Sequence, residues 1–155
     1  MASVSGSASS GSVAVLFSDV EAFAVYATVL PSARLARFSA AVLSAQTAVV
    51  ARRHGTIDKF VGDTLMAFWN EPHVVAEPAL EAVLAACDSH AAMAAVNATW
   101  AATLATKTLQ PVSLRFGINV GHVLCGNFGT SARRSFSSSA TQARARSSSL
   151  AIIAL

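Results

Sequence analysis

Two periodicities take turns along the chain. "SVAVLFSDV" (12–20) alternates and is rich in β-branched residues, which predicts a strand that ends on a carboxylate. "EAFAVYATVL" carries apolar residues at helical spacing and is broken by Pro31-Ser32. Across 33–53, Leu35, Phe38, Val42, Ala45 and Val49 recur every three or four positions, an amphipathic helix closed by "RRHG". "TIDKFVG" and "LMAFWN" read as two short strands joined tightly through Gly62-Asp63, and "EPHVVAEP" as a loop. A long Ala-rich helix is expected over 79–104. Beyond Pro111, "VSLRFGINVG" and "HVLCGNFG" suggest a second strand pair turning at Gly121. The order β-α-α-β-β-α-β-β predicts an α+β sandwich, with helices on one face of a mostly antiparallel sheet.

The ends have a different texture. "MASVSGSASSGS" (1–12) has neither a charged n-region nor an apolar h-region, so it reads as a flexible leader and not a signal peptide. Past Thr130, "SARRSFSSSATQARARSSS" lacks periodicity, which predicts a disordered tail over 134–155. The apolar stretch 79–104 is interrupted by Glu81, Asp88, His90 and Asn97, which favours a buried helix over a membrane span. The expectation is one domain of 155 residues, cytoplasmic, or on the cytoplasmic face of a membrane if it belongs to a longer receptor.

Charge changes the picture in one place. Charged residues make up only 12% of the chain, about half the usual share, against 54% hydrophobic. The net charge of +3 is concentrated in Arg133, Arg134, Arg144 and Arg146, with no basic stripe interleaved by aromatics, which argues against nucleic-acid binding. Cys87 and Cys125 lack metal or redox spacing and read as buried thiols of a reducing compartment, a disulfide being the weaker alternative. Against this sparse background, "GTIDKFVGDTLMAFW" (55–69) places Asp58, Lys59 and Asp63 among Phe60, Val61, Leu65 and Phe68. Asp19 ends the first strand and Asp63 sits in the turn between the next two. If these three strands lie side by side, the two carboxylates meet at one edge, where oxygen ligands suit Mg²⁺ or Mn²⁺. Spacing alone equally allows Asp63 as a turn residue and Asp19 as a helix N-cap.

"VLFSDVEAF", "HGTIDKFVGDTLMAFW" and "LRFGINVGHVLCGNFG", in that order and covering roughly 13–133, resemble the class III adenylate/guanylate cyclase catalytic domain. The interval between Asp19 and Asp63 fits that family as well. The resemblance implies a ferredoxin-like cyclase fold, incomplete at the C-terminus, and conversion of ATP to cyclic AMP and pyrophosphate with two divalent ions. Asp19 and Asp63 would be the metal ligands and catalytic residues, with the Val20 carbonyl a further ligand. The backbone of Glu21, Ala22, Phe23 and Ala24 would offer N–H groups to the phosphates. Arg115 matches the family's phosphate-binding arginine, the alternative being an exposed strand arginine. Lys59 falls where the family selects its purine. A lysine only donates, which suits the N1 acceptor of adenine, so ATP is expected over GTP; the alternative is a lysine snorkelling at a strand edge. Asp58 reads as solvated and without a role.

The sequence departs from the family at Ala22 and Ala24, where Gly and Thr are usual. After about residue 136 the agreement ends. The family continues there into a block that supplies an Asn to orient the ribose and an Arg for the transition state; this chain has "SSSATQARARSSSL". Family members act as dimers, so the expected partner is a second copy or another cyclase domain, and little activity is expected from this chain alone. The rival reading is a non-catalytic dimerisation or nucleotide-sensing partner of an intact cyclase. A polymerase palm or diguanylate-forming domain uses a similar carboxylate pair, but "VGDTL" does not supply the GG[DE]EF-like turn of the latter.

Overall fold

The computed structural model describes the backbone of residues 9–130, 133–139 and 151–154 and the side chains of 12–121. Its elements run β1 (Ser9–Val20), α1 (Phe23–Val29), α2 (Ser32–Arg52), β2 (Thr56–Val61), β3 (Thr64–Trp69), α3 (Pro78–Thr106), β4 (Leu114–Thr130), β5 (Arg133–Ser139) and β6 (Ala151–Ala154). The sheet is ordered β2-β3-β1-β4-β5, with β6 pairing β4 separately, and every pairing is antiparallel. This is the α+β arrangement that the alternating periodicities predict, with β1 central between β3 and β4.

Alternation sorts the sheet's side chains. Ala14, Leu16, Val20, Leu65, Ala67, Trp69, Leu114, Phe116 and Ile118 form one buried face. Against it pack Phe38, Val42, Val49 and Val50 of α2 and Ala82, Ala85, Ala86, Met93 and Val96 of α3. The opposite face buries a smaller cluster, Val13, Val15 and Phe68, with Met66 beside it. α3 is long and apolar enough to cross a bilayer by length and composition; here a third of its most apolar window is buried within the fold.

Two turns fix the local geometry. Gly62 has φ 62 at the first central position of the two-residue β2–β3 turn, a place where glycine carries no steric penalty. α2 ends in a Schellman motif: Gly55 N–H donates to Val50 C=O (2.9 Å) and His54 N–H to Ala51 C=O (3.2 Å). The left-handed residue there is His54 (φ 59), not Gly55. Gly55 is required for space instead, since a Cβ on it would lie 2.7 Å from the Trp69 ring and from Val50.

Several expectations change. Gly121 makes no turn; it lies inside one continuous strand, β4, opposite Val13, because the extended pairing with β1 runs on through it. The stretch read as a disordered tail carries β5 and β6, which pair backbone to backbone with β4 and need no hydrophobic alternation to do so. The leader contributes Ser9 to Ser12 to β1, and its first eight residues lie outside the described residues. Cys87 is exposed on α3, not buried. The side chain of Cys125 lies outside the described residues.

Candidate active site

The C-terminal end of β1 is where the chemistry-bearing side chains gather. Asp19 lies opposite Arg115 in the β1–β4 register, and cross-strand partners share a face. The guanidinium grips the carboxylate with both prongs, Nε to Oδ1 at 3.1 Å and Nη2 to Oδ2 at 2.7 Å. The pair is partly exposed. Hydrogen bonding to Asp19 raises the Arg115 pKa above its ordinary value, and the nearby charges of Asp19, Glu21 and Asp63 push the same way.

Asp63 reaches this end from the β2–β3 turn. Its Oδ2 accepts the Val20 N–H at 3.0 Å, which sets the second carboxylate against the residue that follows Asp19. The site is therefore built from a strand end and a neighbouring hairpin turn, both fixed by the sheet. An open cavity of about 340 Å³ lies alongside, lined by Phe17, Ser18, Asp19, Thr64, Arg115, Phe116 and Gly117. Asp63 borders, with Val20, Phe23 and Phe38, a smaller crevice toward α2.

The turn into α1 departs in detail from what the sequence suggests. Glu21 N–H donates to Ser113 C=O at 3.0 Å, so it is not free for a phosphate. Ala22 is left-handed (φ 53, ψ 33), and Phe23 and Ala24 open the first turn of α1, where N–H groups lack intrahelical partners.

Lys59 shares the open face but not the cavity. It pairs with Met66, which pairs in turn with Phe17, so Lys59, Met66 and Phe17 form one cross-strand row. Lys59 is thus two strands, roughly 10 Å, from Phe17, one residue pair back from the Asp19 row. Its ammonium lies 3.4 Å from Asp58 Oδ2. Asp58, read from sequence as solvated, has a buried side chain instead, because it is the extra residue of a register slip in β2.

Two contributors escaped the sequence reading. Ser18 Oγ donates to Gln46 Oε1, a buried hydrogen bond that ties the residue before Asp19 to α2. Gln46 lies on the same stripe as Phe38, Val42 and Val49, and a polar residue on an apolar stripe was the available signal. Ser113, the acceptor for Glu21, gave none.

Asp19 and Asp63 bring carboxylate oxygens to a partly open edge, the donor chemistry that a hard divalent cation takes. Among the described residues no group of three or more His, Cys, Asp or Glu side chains gathers around a common point. Two carboxylates are what this edge offers, and the remaining ligands would come from backbone, water and substrate.

The sequence matches the family model described as the adenylate and guanylate cyclase catalytic domain over residues 6–150. That match runs past the 13–133 on which the sequence resemblance rests. No curated protein matches the chain. Among solved structures, the chain is similar to the adenylyl cyclase CyaB from P. aeruginosa, with a TM-score of 0.79 and 27% identity over 88% of this chain and 69% of that one. It is also similar to the guanylyl cyclase Cya2, with a TM-score of 0.76 and 25% identity over 86% of this chain and 66% of that one. A third, the guanylate cyclase domain of RhGC from Catenaria anguillulae in complex with GTP, shares the fold with a TM-score of 0.66 and 22% identity, over 83% of this chain and 66% of that one.

Proposed function

The chain belongs to the adenylate and guanylate cyclase catalytic-domain family, and from that premise we propose that it supplies the metal-bearing half of an adenylate-type site that turns ATP into cyclic AMP and pyrophosphate. Asp19 and Asp63 would hold two Mg²⁺ or Mn²⁺ ions with help from the Val20 carbonyl. Such ions, when bound, acidify a ribose 3′-hydroxyl and offset charge on the triphosphate. The chain's own groups do the rest. Ala22, Phe23 and Ala24 present backbone N–H groups to phosphate oxygens. Arg115, forked onto Asp19, would offer the same planar donor set to a phosphate. Lys59 donates to adenine N1, an acceptor that guanine lacks. The site works on the cytoplasmic side, where ATP is available.

One observation carries this reading: Asp19 and Asp63, from separate elements, come to the same strand end, one forked by Arg115 and the other held on the Val20 N–H. The test is binding and turnover of ATP and GTP, with Mg²⁺ and with Mn²⁺, for the chain and for Asp63→Ala. Manganese-dependent ATP binding that disappears in the variant is expected. Binding that is indifferent to Asp63 would remove the reading.

A second reading has its own support. "SSSATQARARSSSL" has no Asn, the residue that the resemblance implies for orienting the ribose beyond residue 136, and its arginines are Arg144 and Arg146. Loss of one preorganised donor to a developing charge costs about 2.7–4 kcal/mol, a hundred- to thousand-fold in rate. A chain of these 155 residues is then a partner that lends Asp19 and Asp63 to a cyclase domain carrying the other half. Mixing it with such a domain whose own metal carboxylates have been removed should restore turnover if the half-site is competent.

A further inference from the structure

Residues two apart on a regular strand point to the same side. Regular alternation along β2 would therefore put Lys59 on the side of Ile57. The register does otherwise. Ile57 opposes Ala67, a fully buried residue of the helix-covered face, whereas Lys59 opposes Met66, which pairs with Phe17 on the open face. Between Ile57 and Lys59 the pairing slips by one, and Asp58 is the residue with no place in it. A one-residue slip sends every later side chain of a strand to the other side. Asp58 thus turns Lys59 onto the face that carries Asp19 and Arg115.

The same residue holds what it turns. The Asp58 side chain is 1% exposed, and its Oδ2 lies 3.4 Å from the Nζ of Lys59, itself 46% exposed. A carboxylate that is nearly out of water is stabilised by a nearby cation, and this one has the ammonium beside it.

We propose that Asp58 is a positioning residue for purine selection: its insertion into β2 puts Lys59 on the nucleotide face, and its carboxylate fixes where the ammonium stands. The proposal rests on the reading that Lys59 contacts the base. It goes beyond that reading by giving the neighbouring carboxylate a share in the choice between adenine and guanine nucleotides.

The experiment uses the full chain and four proteins: the parent, Asp58→Asn, Asp58→Glu and Lys59→Glu. Dissociation constants for ATP and GTP are measured with Mn²⁺. Amine labelling is read by mass spectrometry, Lys107 serving as internal reference because Lys59 and Lys107 are the only lysines. Asp58→Asn keeps the size of the inserted residue and removes its charge. It should raise Lys59 labelling relative to Lys107 and reduce the ATP-over-GTP preference by about two- to fivefold, the span of a partly exposed ion pair. Asp58→Glu, which keeps the charge, should restore most of the preference; a purely structural role for Asp58 would not separate the two variants in this way. If Asp58→Asn alters neither labelling nor preference, or alters labelling alone, the positioning role is overturned. Lys59→Glu tests the premise separately. If it leaves the ATP-to-GTP ratio untouched, base reading by Lys59 fails, and selection through Asp58 is overturned with it.

Discussion

Ala22 offers a measurable test of the geometry at the phosphate-facing turn. Its backbone sits at φ 53, ψ 33, close to the left-handed minimum near 57° and 47°, and it is the residue that turns the chain from β1 into α1. A side chain in that conformation crowds its own carbonyl and costs roughly 1–2 kcal/mol. Glycine removes the crowding but adds freedom to the unfolded chain, which costs about 0.4–1 kcal/mol in return. The balance favours Ala22→Gly by about 0.5–1 kcal/mol. For a chain of this size that is a rise of about 1–4 °C in Tm. Urea unfolding followed by circular dichroism should show a higher midpoint at an unchanged slope. Ala22→Val should move the midpoint down, since a β-branched side chain suits that region least. A glycine variant that is neutral or destabilised, beside a tolerated valine, would refute the left-handed turn and with it the presentation of the Ala22, Phe23 and Ala24 N–H groups.

Packing elsewhere in the fold carries further expected outcomes. Gly55→Ala should lose about 1–3 kcal/mol in urea unfolding, because its Cβ would stand 2.7 Å from Trp69 and Val50, both fully or nearly fully buried. Ser18→Ala removes the donor to the buried Gln46 Oε1 and should cost about 1–3 kcal/mol, whereas adding Gln46→Met should recover most of that loss; a double-mutant cycle reads the difference. Tyr26 is the only tyrosine, so near-ultraviolet absorbance follows it directly. Burial raises its phenol above the ordinary value, with Glu21 adding to the effect. A folded pKa above the unfolded one gives stability that is complete below about pH 10 and is lost as pH rises through the folded value, so the native chain should titrate later than the denatured one.

Much of this arrangement was legible where one residue type has one use. The alternation of 12–20, the stripe Leu35–Phe38–Val42–Ala45–Val49 and the Gly62-Asp63 turn each appear in the structure as read. Gly121 shows the limit. A strand glycine and a turn glycine look alike in sequence, and what decides between them is a partner strand, here β1, far away along the chain. α3 failed in another way: a helix so rich in alanine has little contrast between its faces, so the exposure of Cys87 could not be read from its spacing. The slip at Asp58 did leave a trace. Ile57 and Lys59 are an apolar and a charged residue two apart in one strand, and the slip between them puts the two on opposite faces.

The sheet itself argues for a second molecule on the proposed reading. Asp19, Arg115 and Lys59 all belong to the open face, and on that face Phe17 is 47% and Val61 63% exposed. Groups fixed on one side of a sheet can hold a nucleotide from one side only, so its other side stays wet. Charge stabilisation in a transition state depends on donors held in place where water is excluded, so the missing wall has to be supplied. On the proposed reading a copy of the same face, related by a two-fold axis, would supply it, setting Lys59 of one chain across from the carboxylates of the other. That pairing would close the base and metal ends of the proposed site. It would not supply the Asn implied for the family's later block, because each copy has the same Asn-free sequence after residue 136. A self-paired chain would therefore bind nucleotide better than it turns nucleotide over, and added cyclase domain with an intact later block should raise turnover far more than it raises affinity.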